Sequence, residues 1–372
     1  MALAEAMQTW KLVIPDCCFV SLSAFIENHC KYLSLGDTDG HIHLYNLTTL
    51  TRVAVVDTKA SAVITAQCFL KDRAVGGGGS LIVVGAANGE IVTFSLSRRQ
   101  ILSSFSLPSP ITSLAAHHSF SNQVQFFAAD TGGRLACYTS LQRLWVRKLS
   151  PPPAALAGVC STHSGYNASH VDEEEEAEFD NNHLAVQWII SVSLHDEYGR
   201  PSVYILVSRG TRRVGVFSGN VQVGVLLCPA VPSSACVGKF VERKGMTELD
   251  ATNTCEQVLL AGRNQQLYVV RDALLECVSY CFLEFDAHAV ARIAFETLDA
   301  VAVCGKSNDM LIYQKGQLLH QLAMDDWGCN ISCMQLSRDD GEKDGEVSKH
   351  WRVMCLLANG TLSVWDITLP GS

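Results

Sequence analysis

The stretch KYLSLGDTDGHIHLYNL (Lys31 to Leu47) places two apolar, β-type runs on either side of a short turn that is rich in Asp and Gly. Two such runs joined by a turn of this composition are typical of a β-hairpin. Seven copies spaced by roughly 50 residues are typical of the blades of a β-propeller. The six other copies are LIVVGAANGEIVTFSL (Leu81 to Leu96), VQFFAADTGGRLACYTS (Val124 to Ser140), VYILVSRGTRRVGVFSG (Val203 to Gly219), QVLLAGRNQQLYVVRD (Gln257 to Asp272), AVAVCGKSNDMLIYQKG (Ala300 to Gly316) and RVMCLLANGTLSVWDI (Arg352 to Ile367).

Each hairpin accounts for only the two middle strands of a four-stranded antiparallel blade, so an inner strand should precede it and an outer strand should follow it. The sequence therefore predicts an all-β, seven-bladed β-propeller with almost no helix. The candidate inner strands are Cys18 to Ile26, Val63 to Leu70, Ile111 to His117, Leu184 to Leu194, Ala235 to Val241, Ala291 to Leu298 and Ile331 to Ser337. The candidate outer strands are Arg52 to Asp57, Ile101 to Leu107, Arg143 to Leu149, Val221 to Leu227, a run within Leu274 to Phe285, and Gln317 to Met324.

The two ends of the chain complement each other. The seventh hairpin ends at Ile367, which leaves too few residues for an outer strand, whereas TWKLVI (Thr9 to Ile14) is a strand-like run without a blade of its own. An unpaired outer edge would be open to association with other chains. We therefore expect the N-terminal strand to join the C-terminal blade and close the ring.

We expect residues 1–372 to form one propeller domain that carries two insertions. Residues 150–183 hold the prolines Pro151 to Pro153 and the acidic run DEEEEAEFD, a composition that favours disorder. The polar stretch Arg338 to Lys349 is predicted to be a solvated hairpin loop between two strands of the last blade.

Composition narrows the classes of partner. The chain is 48% hydrophobic and 17% charged, which favours a large buried core. Its formal net charge is -9, and without the acidic run the remainder is close to neutral. No basic stripe is evident, so we expect no nucleic-acid binding. No run approaches 18 uninterrupted apolar residues, so we expect no direct membrane insertion.

The cysteines point to a reducing compartment. Fifteen are present, an odd number, and most lie singly within apolar runs, where a free thiol behaves as a small hydrophobic group; examples are Cys68, Cys137, Cys236, Cys304 and Cys355. The N-terminus lacks the basic start and apolar run of a signal peptide. We therefore expect a cytoplasmic protein.

Several stretches resemble ligand sites but favour structural interpretations. GDTDG, with Asp37 and Asp39, lacks the later ligands of a calcium loop and is predicted to be a tight turn. His41 and His43 would share one face of a strand, and we expect an edge or surface pair. The glycines Gly76 to Gly79 have no P-loop lysine and suit a flexible connector.

No other stretch indicates catalysis or metal binding. The pairs Cys277/Cys281 and Cys329/Cys333 have three intervening residues rather than the two of common zinc motifs, and we expect them to pack in the core. A G-x-S-x-G nucleophile motif is absent. The sequence therefore predicts no catalytic residue, no cofactor and no bound metal.

The acidic run is the one candidate binding element. One interpretation is a loop that only increases solubility. The alternative is a docking or phosphorylation-regulated element that binds a basic surface of a partner protein. The candidate residues are Asp172, Glu173, Glu174, Glu175, Glu176, Glu178, Phe179 and Asp180, of which Phe179 is the apolar anchor.

The hairpins resemble the WD-repeat and FG-GAP class of β-propellers, although Trp365-Asp366 is the one WD dipeptide and complete D-x-D-x-D-G loops are missing. LSLGDTDGHIHLYNL, LIVVGAANGEIVTFSL, AVAVCGKSNDMLIYQKGQLLHQLAMDD and VMCLLANGTLSVWDI resemble more closely the FG-GAP repeat propellers of the KICSTOR complex. That resemblance implies a non-enzymatic scaffold with other protein subunits as partners, which helps to place a nutrient-sensing regulator of growth-kinase signalling on lysosomes. The propellers of Bardet-Biedl trafficking proteins are a competing resemblance and imply a ciliary, flagellar or vesicle-trafficking subunit. An enzyme that uses the central channel is the third hypothesis.

Overall fold

The computed structural model describes residues 5–13, 18–27, 29–72, 79–118, 124–149, 185–195, 201–242, 256–271, 276–295, 297–336 and 349–369. These residues form 28 β-strands in seven four-stranded antiparallel sheets, and no helix occurs among them. The predicted all-β, seven-bladed propeller is therefore confirmed. The described ranges also contain no helix that could span a membrane.

The strands follow one another from the inner to the outer edge of each blade. Blade I contains β2 (Phe19–Glu27), β3 (Cys30–Asp37), β4 (His41–Asn46) and β5 (Thr51–Asp57). Blade II contains β6 (Ile64–Asp72), β7 (Gly79–Ala86), β8 (Glu90–Ser95) and β9 (Gln100–Ser106). Blade III contains β10 (Ile111–His118), β11 (Val124–Asp130), β12 (Arg134–Tyr138) and β13 (Arg143–Lys148). Blade IV contains β14 (Trp188–His195), β15 (Pro201–Ser208), β16 (Arg213–Ser218) and β17 (Val221–Leu227).

The remaining blades are built in the same way. Blade V contains β18 (Pro232–Gly238), β19 (Gln257–Gly262), β20 (Gln266–Arg271) and β21 (Glu276–Phe282). Blade VI contains β22 (Ala287–Ile293), β23 (Ala300–Gly305), β24 (Asp309–Gln314) and β25 (Gln317–Ala323). Blade VII contains β26 (Gly328–Gln335), β27 (Lys349–Leu357), β28 (Leu362–Leu369) and, as its outer strand, β1 (Glu5–Leu12).

The N-terminal strand closes the ring, as the sequence predicts. β1 pairs antiparallel with β28 from Glu5 opposite Thr368 to Leu12 opposite Leu362. Inner strands of neighbouring blades contact one another all the way round, including β26 of blade VII with β2 of blade I. Both ends of the chain are thus held in one blade.

An aromatic residue marks the third strand of every blade at a β-bulge with the outer strand. In blade VII this bulge lies between Gln8 and Trp10, opposite Trp365. β1 therefore has the same bulge as the outer strands of the other six blades, in which all four strands are consecutive in the sequence. The seven aromatic residues are Tyr45, Phe94, Tyr138, Phe217, Tyr268, Tyr313 and Trp365.

The core lies between the blades rather than at the centre of the ring. Seven clusters of buried apolar residues each join two neighbouring blades. Hydroxyl groups of the inner strands add polar links: Ser21 donates to the carbonyl of Ile64 at 2.8 Å, and Thr65 donates to the carbonyl of Ile111 at 2.6 Å. Each blade is therefore stabilised by its neighbours.

Three inner strands begin earlier than the sequence predicts. β18, β22 and β26 start at Pro232, Ala287 and Gly328, three or four residues before the apolar runs that we took as strand starts. A β-bulge follows the first residue of each of these strands. The first residues are proline, alanine and glycine, and the bulge interrupts the register after each of them. A search for alternating large apolar residues therefore does not detect the start of these strands.

Candidate functional site

The predicted binding element lies outside the described residues, but the residues that flank the insertion are described on both sides. Before it, Leu149 donates its backbone N–H to the carbonyl of Gly133 at 2.8 Å; after it, Gln187 donates to the carbonyl of Ser208 at 2.8 Å. Leu149 and Val186 are buried between blades III and IV. The described residues on either side of the insertion at 150–183 therefore lie at the junction of these two blades, and Asp172 to Asp180 are outside the described residues. The Arg338 to Lys349 insertion also lies outside the described residues, except for Lys349 at the start of β27.

The GDTDG segment is the tight turn that the sequence predicts. One carboxylate oxygen of Asp37 accepts the backbone N–H groups of Asp39 and His41 at 2.9 and 2.8 Å, and Gly40 has a φ of 89°. Burial by itself would raise the pKa of Asp37, but its hydrogen bonds with His43 and with the two N–H groups outweigh burial and lower it. The carboxylate thus holds the turn as an ionised acceptor.

The histidines share one face, as predicted, but the expectation of an edge or surface pair is wrong for His43. His43 is 7% exposed; its Nε2 lies 2.9 Å from the second Asp37 oxygen, and its ring packs edge-on against Phe19. His41 is half-buried, with Nδ1 at 3.4 Å from the same oxygen. His43 packs against Phe19 of β2, two strands away in the blade, and the alternation of the sequence does not show this contact.

The other ligand-like stretches are structural where the structure describes them. No group of three or more His, Cys, Asp or Glu side chains that could hold a metal ion occurs within the described ranges. Of the glycine run, only Gly79 is described, and it begins β7.

The thiols are protonated packing groups at most described positions. Burial raises the pKa of Cys68 and of Cys281 to about 12 each. Cys277 and Cys333 are half-buried, in agreement with the packing prediction, but Cys329 is exposed at the β-bulge that begins β26. The prediction fails for Cys329 because the bulge removes it from the alternation of the strand.

Two buried charges that sequence reasoning missed join neighbouring blades. Asp299 is fully buried and accepts the N–H groups of Lys239 and Phe295 at 2.7 and 2.8 Å, while Arg292 Nε lies 2.7 Å from it. These contacts join blades V and VI. A lone Asp before an apolar run gives no signal of them in the sequence.

Arg352 has the same role between blades VII and I. Its guanidinium forms two 2.6 Å hydrogen bonds to the carboxylate of Asp366 and donates a third to the carbonyl of Leu47 in blade I. The Asp of the WD dipeptide therefore binds a buried arginine rather than a ligand.

The outer strands carry most of the exposed apolar side chains. Fifteen large hydrophobic side chains of the described residues are exposed, and ten of them lie on outer strands. Five of the ten lie on β13 and β17, the outer strands of the neighbouring blades III and IV, and exposed apolar groups that lie near one another mark an interaction region. The ten are Met7, Val53, Val55, Leu144, Val146, Val221, Val223, Leu227, Phe282 and Leu318.

Basic side chains are concentrated on blades III and IV. The described residues of these two blades carry seven basic groups and one acidic group, Asp130, whereas each other blade has at most one more basic than acidic group among its described residues. Asp130 is buried and forms an ion pair of 3.2 Å with Arg134. The seven basic residues, which we call the basic region, are Arg134, Arg143, Arg147, Lys148, Arg209, Arg212 and Arg213.

A cavity of about 300 Å³ lies at the edge of the basic region. Two of its lining residues are Arg134 and Arg143, and Val146 of the outer strand forms an apolar wall. The rest of the lining comes from the chain that leaves blade II, at Ser106, Leu107 and Pro108. The two guanidinium groups suit an anionic side chain.

The fold is shared with solved propellers. Two crystal structures of BBS1N in complex with ARL6DN, one soaked with mercury and one with lead, match with TM-scores of 0.61 and 0.62. Both are 10% identical in sequence, and each match covers 99% of this chain and 98% of that chain. No family model and no curated protein matches the sequence. The likeness shows the seven-bladed propeller fold; the finer resemblance to the KICSTOR propellers stays a hypothesis.

Proposed function

We propose that this protein is a non-catalytic scaffold for protein–protein interaction and a subunit of a multiprotein complex. The observation that carries the proposal is the concentration of exposed apolar side chains on the outer strands. These strands also present unpaired backbone N–H and C=O groups at the edge of each blade, to which a partner strand can pair. The crystallised BBS1N propeller, which has the same fold, is in complex with a second protein.

The finer proposal follows the sequence resemblance. It assigns the complex to nutrient-sensing growth-kinase signalling and places the protein in the cytoplasm, with recruitment to the lysosomal surface through its partners. The match to BBS1N favours the alternative of a ciliary, flagellar or vesicle-trafficking subunit. Both versions predict stable protein partners and no chemistry in the central channel.

Affinity purification of the tagged full-length chain from native cells, followed by mass spectrometry and size-exclusion chromatography, tests the proposal. We expect co-elution with a defined set of proteins in a fixed ratio. Signalling partners would support the first version, and ciliary or coat proteins would support the alternative. Elution of the chain alone, without a stable partner, would overturn the scaffold proposal and favour an enzyme instead.

A further inference from the structure

Three residues of the basic region, Arg143, Arg147 and Lys148, have charges that no described carboxylate neutralises. The chain as a whole has a net charge of -9, yet the described residues of blades III and IV carry seven basic groups and one acidic group. That acidic group, Asp130, is held by Arg134. No described carboxylate lies within 4 Å of the charged nitrogens of Arg143, Arg147 or Lys148. Uncompensated basic groups at a surface attract an anionic partner.

Three apolar side chains lie between these basic groups along β13. Leu144 and Val146 are exposed beside Arg143 and Arg147, and Trp145 between them is half-buried. β13 is an outer strand, so one of its edges offers free backbone groups. A surface of this kind fits a peptide that combines carboxylates with apolar side chains.

The surface continues onto blade IV. Arg147 donates to the carbonyl of Asn220, and its guanidinium carbon lies 5.9 Å from the centroid of the Phe217 ring. Directly after Asn220, β17 exposes Val221 and Val223 and contains no charged residue. Uncharged, apolar outer strands are favourable sites for pairing with a strand of another chain.

The same features argue against nucleic acid as the occupant. A phosphate backbone is bound by many basic groups and makes little use of exposed valine and leucine. The net charge of -9 would also repel a polyanion at distances beyond direct contact. A short peptide has fewer charges and gains from the apolar groups and the strand edge.

We infer that the outer surface of blades III and IV is a docking site for an acidic peptide of a partner protein. Arg143 binds a carboxylate of the peptide in the cavity beside Val146, and Lys148 binds a second one. Leu144, Val221 and Val223 contact its apolar side chains. This inference rests on the proposed scaffold function and identifies where one partner binds.

A fluorescein-labelled peptide with the sequence of residues 170–182, HVDEEEEAEFDNN, is a suitable probe because it combines carboxylates with one phenylalanine. Its binding to the full-length protein is measured by fluorescence anisotropy at low and at physiological salt. We expect saturable binding that weakens with salt. The same peptide with every Asp and Glu replaced by Asn and Gln should bind about tenfold or more weakly.

The variant R143E/K148E should lower the affinity about tenfold or more without loss of the folded state, because neither side chain is buried. R52E/K71E is the matched control, since it makes the same charge change at exposed positions of blades I and II. Equal effects of the two variants, or no binding by either peptide, would overturn the inference. Tighter binding of a DNA duplex of random sequence at the same sites would also overturn it in favour of nucleic acid.

The alternative to a partner peptide is that the protein's own acidic run, Asp172 to Asp180, occupies the docking site. A full-length variant with the seven carboxylates of Asp172 to Asp180 changed to amides separates the two cases. Similar affinity of the probe for this variant and for the wild type supports docking of a partner, whereas binding only to the variant means that the chain occupies its own site and overturns the inference. If affinity purification recovers a complex that R143E/K148E leaves intact, this docking site fails while the scaffold function stands.

Discussion

The interface between blades VII and I and the interface between blades III and IV bury cores of the same size but use charged side chains in opposite ways. Each joins its blades through eleven buried apolar residues among those that the structure describes. At the first interface, the guanidinium of Arg352 is buried, and its hydrogen bonds go to Asp366 and Leu47. At the second, Arg147 and Lys148 are exposed, and no described carboxylate lies within 4 Å of their charged nitrogens.

This difference distinguishes the charged side chains that stabilise the ring from the charged side chains that a partner protein can contact. A buried charge must be paired, so its contacts serve the fold. An exposed charge contributes little to stability, so the three exposed basic side chains of β13, which are Arg143, Arg147 and Lys148, have no structural explanation and suit binding. The two interfaces have the same number of buried apolar residues and differ in the exposure of their charged side chains. We therefore expect a partner to bind at blades III and IV.

Removal of the closing strand should have the largest effect on the interface of blades VII and I. Deletion of residues 1–14 exposes the edge of β28 and removes Trp10 and Leu12 from the apolar cluster between blades VII and I. We expect a loss of about 5 kcal/mol or more, comparable to the whole stability of a typical domain. Urea unfolding followed by circular dichroism measures it, with deletion of residues 1–4 as the control. Cooperative unfolding at an unchanged urea midpoint would contradict the closure that the structure shows.

Arginine substitutions compare the two interfaces directly. R352A leaves Asp366 without its partner and removes the link to Leu47, so we expect a loss of about 3 kcal/mol. R147A removes one exposed hydrogen bond and one cation–π contact, so we expect about 1 kcal/mol or less. Urea unfolding of both variants under identical conditions provides the measurement. Losses of equal size would mean that the charges at the two interfaces have the same structural role.

The smallest expected effect concerns the pH dependence of the blade I turn. Because the folded protein lowers the pKa of Asp37, this carboxylate stabilises the fold above its unfolded pKa, and the contribution is lost as pH falls through the lowered folded value. D37N should lose about 1 kcal/mol at pH 7 and then lose less than the wild type on acidification below pH 4. D39N, at an exposed position of the same turn, is the control. Parallel stability curves for D37N and the wild type between pH 7 and 3 would show that Asp37 does not account for the dependence.

Much of the fold could be predicted because the repeat is local. All seven hairpins, the outer strand of each blade and the closure by the N-terminal strand are confirmed. The strand that closes the ring runs from Glu5 to Leu12 rather than from Thr9 to Ile14, since its first half, Glu5 to Gln8, also pairs with β28, opposite Thr368 to Trp365. The residue preferences of turns and the alternation of apolar residues in strands extend over only a few residues, and they were sufficient to predict the hairpins, the outer strands and the closing strand.

The candidate site could be predicted only in part. The acidic run stood out by composition, and its partner surface stays a prediction. The basic region did not stand out, because Lys148 and Arg209 are separated in the sequence by that same acidic run, which cancels their charge in any count along the chain. Arg134 and Arg143 come together at one cavity only through the pairing of β12 with β13 and the position of the chain that leaves blade II.

The sequence by itself determined seven strand-turn-strand units, their β character and the complementary ends of the chain, because backbone preferences and burial of one strand face are set by neighbouring residues. The tertiary structure decided which side chains meet between blades, as Asp299 meets Lys239 and Arg352 meets Leu47. It also decided that Arg143, Arg147 and Lys148 are exposed on the outer strand of blade III. Ring closure fixes these distances between residues far apart in the chain, and no local pattern encodes them.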